Sequence, residues 1–534
     1  MVKILHNASI HTLDPKQPHA SALAVDDERI LLVGSDEDVI GVFSGQSQPP
    51  EMFDAEGRAI IPGLIDAHIH LEHFALGLQK VDCETPTRRE CIERVAQRAR
   101  QTQAGEWVLG HGWNQNDWQE GFGSAADLDA AAPEQPVYLT AKSLHAGWAN
   151  STALRRAGIG SQTPDPPGGL IGRDPSGKPN GILFEAAMEL VQSAIPEPTD
   201  VQVSHAIRDT LPALAKMGLT GVHDFDRRRC FIALQNLHQS GELSMRVVKS
   251  IPLEDLPYAI GLGLRTGFGD DILRIGGVKV FADGALGPRT AAMLQPYEGE
   301  IEQRGMLLLD AEELFEQGRQ AVDNGLPLAV HAIGDRANHE VLDAFAQLGK
   351  YENDHQRAAG RPMRHRIEHV QLIHPDDAGR LAELGIVASM QPIHAPSDML
   401  MADRFWGSRS ALAYAWRTQL NNGAILAFGS DAPVESPNPF WGLHAAVTRR
   451  RADGSPGKEG WYPEQKLSVY EALVAFTSGP AYLAGMEDRL GKLAGGYLAD
   501  LLVLSQDPFD CDPDEIKKIH PLATMVAGRW IYKA

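Results

Sequence analysis

A chain of 534 residues is too long for one ordinary compact unit, and its formal charge of −21 with a pI near 5.4 argues against a nucleic-acid footprint and against docking on an anionic membrane. Its 43% hydrophobic and 22% charged residues are those of a soluble globular protein with a sizeable core. Four cysteines, Cys83, Cys91, Cys230 and Cys511, form no CxxC pair, which argues against a disulfide framework and suits a reducing compartment.

The N-terminus enters strand-like sequence directly, without a signal-peptide apolar region, and no apolar run is long enough to span a bilayer, so a cytoplasmic location is expected. The first strand candidates are Lys3–His6, Ser21–Val25 and Arg29–Gly34, with a turn at Asp26-Asp27-Glu28. A hairpin-like stretch, Glu51–Ile61, turns around Glu56-Gly57. Next come apolar strand candidates alternating with helices, the pattern of a parallel sheet covered by helices. They are Ile60–Ile65, Leu219–His223, Met245–Ile251, Ile275–Phe281, Pro327–Val330, His365–Ile367, Val387–Met390 and Ile425–Phe428. Ser204–Met217, Ala311–Asn324, Ala337–Leu348 and Pro375–Leu384 read as helices between them. Eight strands are what a closed (β/α)8 TIM barrel requires. The gap after the first strand, about residues 75–203, is far longer than a βα connection and has its own strands, Trp107–Gly112 and Pro136–Thr140, and a Pro/Gly-rich loop, Thr163–Gly169. It reads as an inserted α/β subdomain. Asp500–Leu504 and Ala523–Tyr532, broken by Gly528, are strands again. The expected plan is a small β-sandwich domain built from residues 1–60 and 486–534, around a barrel at 61–485.

Chemistry in such a barrel sits at the C-terminal ends of the strands. The first strand ends in Asp66-Ala67-His68-Ile69-His70, and histidines at i and i+2 of an extended chain face the same way, so one cation can take both. The fourth strand carries Lys279, the fifth ends in His331, the sixth in Glu368-His369 and the eighth in Gly429-Ser430-Asp431. Taken singly, a strand histidine is more often a core residue than a ligand, a buried Lys279 pairs with a carboxylate such as Asp283, and an Asp after Gly-Ser caps a helix. The set, four different strand ends each ending in a ligand type in one register, points instead to a metal site. No G-x-G-x-x-G follows the first strand, which disfavours a dinucleotide enzyme.

Several stretches carry a resemblance: Ile61–His70, Gly112–Asn116, Lys279–Thr290, His331–Asp335, Arg366–His369, Gln391–His394, Gly429–Glu435 and Gly491–Asp500. Together they resemble the amidohydrolase superfamily, in its family 3 branch that includes N-substituted formamide deformylases. The resemblance implies a metal-dependent hydrolase of carbon–nitrogen bonds other than peptide bonds, holding one or two divalent cations such as Zn2+. His68 and His70 would bind one metal, His331 and His369 the second, and Lys279, as its carbamate, would bridge them; an unmodified Lys279 beside a single metal stays open. Asp431 would be both ligand and general base, and divalent cations acidify the water they coordinate.

Further candidates for touching a small-molecule substrate are Trp113, His145, Asp283, Arg289, Asp335 and His394, against the plainer readings of ion pairs for Arg289 and Asp335 and a loop histidine for His145. Trp113, Trp118, Phe122 and Trp148 in the insertion, with Phe405, Trp406, Trp416, Phe440 and Trp441, would line an apolar pocket if the insertion covers the barrel mouth; otherwise they are core. Alternatives to amide, N-formyl or cyclic-amide hydrolysis are an ester or carbamate hydrolase, or a lyase or isomerase on the same cage. A non-catalytic metal-binding regulator is disfavoured because every ligand position is filled. The oligomeric state stays open, homodimers being common in the family.

Overall fold

The computed structural model describes residues 1–44, 48–115, 118–142, 145–355 and 363–534. Asn116, which belongs to one of the stretches singled out above, lies outside the described residues. Two compact units form, one from Met1–Phe74 with Ile207–Ala534 and one from Ala75–Ala206.

The first unit holds an all-parallel eight-stranded sheet in strict chain order. Its strands are β1 (Leu64–Ile69), β2 (Leu219–Asp224), β3 (Arg246–Pro252), β4 (Leu273–Phe281), β5 (Leu328–Ala332), β6 (Arg366–His369), β7 (Val387–Met390) and β8 (Leu426–Phe428). They are bodies of Val, Ile, Leu and Ala buried on both faces, as a parallel sheet under helices requires. The sheet closes where β8 leaves toward β1. The Asp431 N–H donates to the His68 carbonyl at 2.7 Å, and the His70 N–H donates to the Ala432 carbonyl at 2.9 Å. Gly429 permits this approach, since a Cβ there would stand 2.5 Å from the His68 nitrogen. A TIM barrel is thus the fold of this unit. The helix Ala311–Asp323 leads into β5 behind a reciprocal Asp310/Glu313 capping box. Asp335–His355 follows β5, and its stripe Ala337, Val341, Leu342, Phe345 and Leu348 is buried.

This unit has two further sheets, one from the N-terminal segment alone and one from both termini. The four-stranded one runs Arg29–Gly34, Ala22–Asp26, Lys3–His6, Glu51–Asp54, and the six-stranded one Arg529–Lys533, Pro521–Val526, Leu501–Leu504, Ala59–Pro62, Ser9–His11, His19–Ala20. Leu5, Leu23, Val25, Ile60, Leu501 and Met525 share one apolar core between them.

Three sequence expectations are corrected. Ile60–Ile65 is not one strand: Ala59–Pro62 pairs with Leu501–Leu504, and the barrel strand starts after Gly63, whose missing Cβ makes room for Thr220. Glu51–Ile61 is not a hairpin either, because its two strands enter different sheets and residues 55–58 cross between them. Pro375–Leu384 splits into a 3-10 turn at Pro375–Asp377 and a helical turn at Arg380–Glu383.

The second unit is a mixed six-stranded sheet of order Gly169–Arg173, Pro179–Glu185, Ala146–Ala149, Val137–Ala141, Val108–Trp113, Val81–Asp82. The helix Arg88–Gln101 packs Cys91, Val95 and Ala99 into a core with Trp113, Trp118 and Trp148. Among the described residues no helix is long and apolar enough to cross a membrane.

Candidate metal centre

The parallel register of the barrel brings side chains far apart in sequence to one end of it. His68 Nε2 and His70 Nε2 each lie 3.5 Å from Asp431 Oδ1. Zinc ligands about 2.0–2.2 Å from a tetrahedral ion are separated by roughly 3.4 Å, so one cation fits among these three donors. The His369 ring is 5.0 Å from His68 and 4.5 Å from His331, centroid to centroid. Ligand atoms of His369, His394 and Asp431 also come within 4.8 Å of one another. Lys279 Nζ stands 4.5 Å from the Phe225 ring and 5.0 Å from the Phe281 ring, in an apolar sleeve beside the histidines.

Each imidazole is held by one nitrogen, which leaves the other for the centre. His68 Nδ1 meets Glu368 Oε2 at 2.7 Å, His70 Nδ1 meets Asp226 Oδ1 at 3.0 Å, His369 Nδ1 meets Gln391 Oε1 at 2.8 Å and His331 Nε2 meets the Gly284 carbonyl at 3.0 Å. Metal-binding histidines are oriented in this way by outer carboxylates and carbonyls. Glu368 is itself fastened by Arg366, Nε to Oε1 at 2.7 Å. His68 Nε2 is fully buried and has no hydrogen-bond partner among the described residues. A buried lone pair facing a carboxylate is costly unless a cation sits between them, so the donor set fits a divalent metal.

Burial, together with the charge of Lys279, pushes the His68 imidazole down to about 4 and His331 to about 3. Burial also holds His369 well below the ordinary histidine range. Neutral imidazole is the form that binds metal. His70 runs the other way: burial would lower it, but hydrogen bonds to Asp226 and Asp431 outweigh burial and lift it to about 9. Burial opposes ionisation of Asp431, yet the surrounding histidines pull its carboxyl well below the usual range. Burial brings the Lys279 amine down to about 8. His369 and Asp431 adopt φ of 76° and 60°, left-handed values that residues with a Cβ avoid and that cluster where strain serves a site.

The remaining expected residues divide. His394 is buried, with its ring nearly parallel to that of His369 at 6.4 Å. Asp283 accepts the backbone N–H groups of Ala292, Ile333 and Gly334 at 2.8–3.0 Å, and Asp335 accepts that of Leu294 at 2.8 Å, so both organise the loops after β4 and β5. Arg289 pairs with Glu300 at 2.6 Å. In the second unit, His145 meets Glu185 at 3.0 Å, and Trp113 is buried in that unit's core, donating its Nε1–H to the Leu139 carbonyl.

Three residues at the centre were not singled out from the sequence: Asp226, Phe225 and Phe281. Asp224-Phe225-Asp226 leaves β2 with the same i, i+2 spacing that exposed His68 and His70, and that spacing was the available signal.

Comparison with known proteins places this architecture. The amidohydrolase family model matches residues 51–532. Protein LONG AFTER FAR-RED 3 of Arabidopsis thaliana is 34% identical, covering 99% of this chain and 91% of its own. The N-substituted formamide deformylase of Arthrobacter pascens is 30% identical, covering 98% of this chain and 96% of its own. An uncharacterized metal-dependent hydrolase from Pyrococcus furiosus superposes with a TM-score of 0.78 at 29% identity, covering 96% of this chain and 100% of its own.

Proposed function

The chain belongs to the amidohydrolase family, and from that premise we propose that it is a zinc-dependent hydrolase of a carbon–nitrogen bond in a small molecule, an amide, N-formyl or cyclic amide compound, with Asp431 as general base. The observation that carries the reading is the approach of His68 Nε2 and His70 Nε2 to one oxygen of Asp431 at 3.5 Å, the first of these nitrogens being buried without a hydrogen-bond partner among the described residues. The deformylase relative supports an N-formyl or amide substrate.

His68, His70 and Asp431 would hold one cation; His331 and His369 would hold a second, with Lys279 between them as its carbamate. When bound, a divalent cation polarises the carbonyl and brings the acidity of water toward neutral pH. Asp431, ionised because the neighbouring histidines favour its charged form, takes the proton of the attacking water and returns it to the leaving amine. Glu368, Asp226 and Gln391 keep the imidazoles in the tautomer and orientation this requires. No side chain need become covalently attached to substrate. Elemental analysis of the purified protein, with a screen of N-formyl amines, N-acyl amino acids and simple esters, tests the reading. Bound zinc and release of amine are expected; a protein that takes up no cation, or that cleaves esters alone, would overturn it.

A further inference from the structure

A hydrogen-bonding hub lies directly behind the candidate metal centre. Asp226, buried just past the end of β2, receives four hydrogen bonds on one carboxylate. Its Oδ2 accepts the backbone N–H groups of Glu72, at 2.5 Å, and His73, at 3.2 Å. Its Oδ1 accepts two imidazoles at once, His70 Nδ1 at 3.0 Å and His73 Nδ1 at 2.6 Å. The hub is rigid. Asp224 accepts the Leu71 N–H at 2.9 Å, Lys249 pairs with Asp224 at 2.8 Å and donates to the Asp226 carbonyl, and the Phe225 N–H donates to the Ile69 carbonyl at 3.0 Å. Residues 69–73 after β1 are thereby nailed to residues 224–226 after β2. The side chains differ in exposure: His70 faces the centre, whereas 66% of the His73 side chain is open to solvent.

We propose that Asp226 is the positioning residue for His70 and that His73 competes for the same oxygen, so that the two set the cation affinity of the centre in opposite directions. A carboxylate that accepts the Nδ1–H of a metal-binding imidazole fixes the ring and makes its other nitrogen more basic. Here that carboxylate has no unshared oxygen to give His70, since Oδ2 is taken by backbone and Oδ1 by the shorter bond to His73. Removing His73 leaves Oδ1 to His70 alone; removing the charge of Asp226 takes the support away. His70, His73 and Asp226 come close enough to form a metal site of their own, but contacts of 2.6 and 3.0 Å between imidazole nitrogens and one oxygen are hydrogen bonds, which makes the trio a support for the centre.

This inference rests on the metal-dependent reading above, and its test reads cation affinity, not turnover. Zinc dissociation constants are measured by competition with a chromophoric chelator on the full-length protein, for the wild type, His73→Ala, Asp226→Asn and the double variant. Asp226→Asn is expected to weaken zinc by about 10- to 100-fold, the usual cost of losing such a support. His73→Ala, at an exposed position, is expected to tighten it by up to about tenfold, and the gain should vanish in the Asp226→Asn background. Thermal melts separate a folding defect from a local one: if Asp226→Asn fails to fold, the sign of the His73→Ala change alone decides. An unchanged or weakened affinity in His73→Ala overturns the proposal while leaving the hydrolase reading intact; a wild type that binds no zinc overturns both.

Discussion

Aromatic side chains do different work in the core of Ala75–Ala206 and beside the candidate metal centre of the barrel. In Ala75–Ala206, Trp113, Trp118 and Trp148 are buried against one another with ring centroids 6.1–6.3 Å apart, and each indole N–H is spent on a backbone carbonyl, of Leu139, Thr85 and Ser124 respectively. Beside the candidate metal centre stand two phenylalanines, Phe225 and Phe281, without a polar edge. Phe225 lies under His68 at 4.2 Å, and Phe281, 48% exposed, stands 5.2 Å from His331. The tryptophans form a core; the phenylalanines wall a polar centre, removing water from around Lys279 and the imidazoles. Tryptophan in a small unit is first of all a large packing element that must satisfy one N–H.

The largest expected effect concerns the polar side of this contrast. Asp431→Asn keeps the size of the side chain and removes the proposed base, so kcat should fall by about 10^2- to 10^4-fold with the melting temperature and metal content nearly unchanged. Retained activity would remove Asp431 from that role. Next comes the tryptophan core. Trp113→Ala should cost about 3–5 kcal/mol of stability, with amide exchange accelerating in residues 75–206. A stable variant with altered kinetics would instead make Trp113 a substrate contact and erase the contrast.

A smaller effect, on the order of 1–2 kcal/mol after screening, comes from Glu471, which Arg417 grips at 2.6 and 2.7 Å and whose carboxyl is pulled down to about 2. Because the folded value lies below the unfolded one, this stabilisation is present above about pH 4.5 and is lost as pH falls from there toward 2. Urea unfolding of Arg417→Ala should therefore differ from wild type at pH 7 and converge with it near pH 2; a constant difference would contradict the linkage. Smallest of all is Phe281→Ala, which should change unfolding free energy by no more than about 1 kcal/mol because the ring is half exposed. A loss comparable to that of Trp113→Ala would make Phe281 a core residue.

Much of this molecule was legible along the chain. Arg29–Gly34 and Val387–Met390 coincide with observed strands, because their patterns are local properties of a buried or half-buried strand. His68 and His70 stood out for the same reason: an i, i+2 pair at a strand end carries its geometry with it. The misreadings have one cause in common. Ile60–Ile65 is apolar without a break, and only the pairing of Ala59–Pro62 with Leu501–Leu504, more than 400 residues away in sequence, shows that it serves two sheets. Asp283 and Asp335, candidates for touching the site, accept backbone N–H groups in the loops after β4 and β5, contacts that a position just past a strand end does not reveal.

The sequence by itself determined the alternation of strands and helices, the ligand types at the strand ends and, through them, the family, since each is written in short-range spacing. Only the tertiary structure decided which nitrogen of each imidazole is held, which tryptophans are core, and that Asp226 stands behind His70. Those outcomes depend on hydrogen bonds between strands distant along the chain, and periodicity says which way a side chain points but not what it will meet.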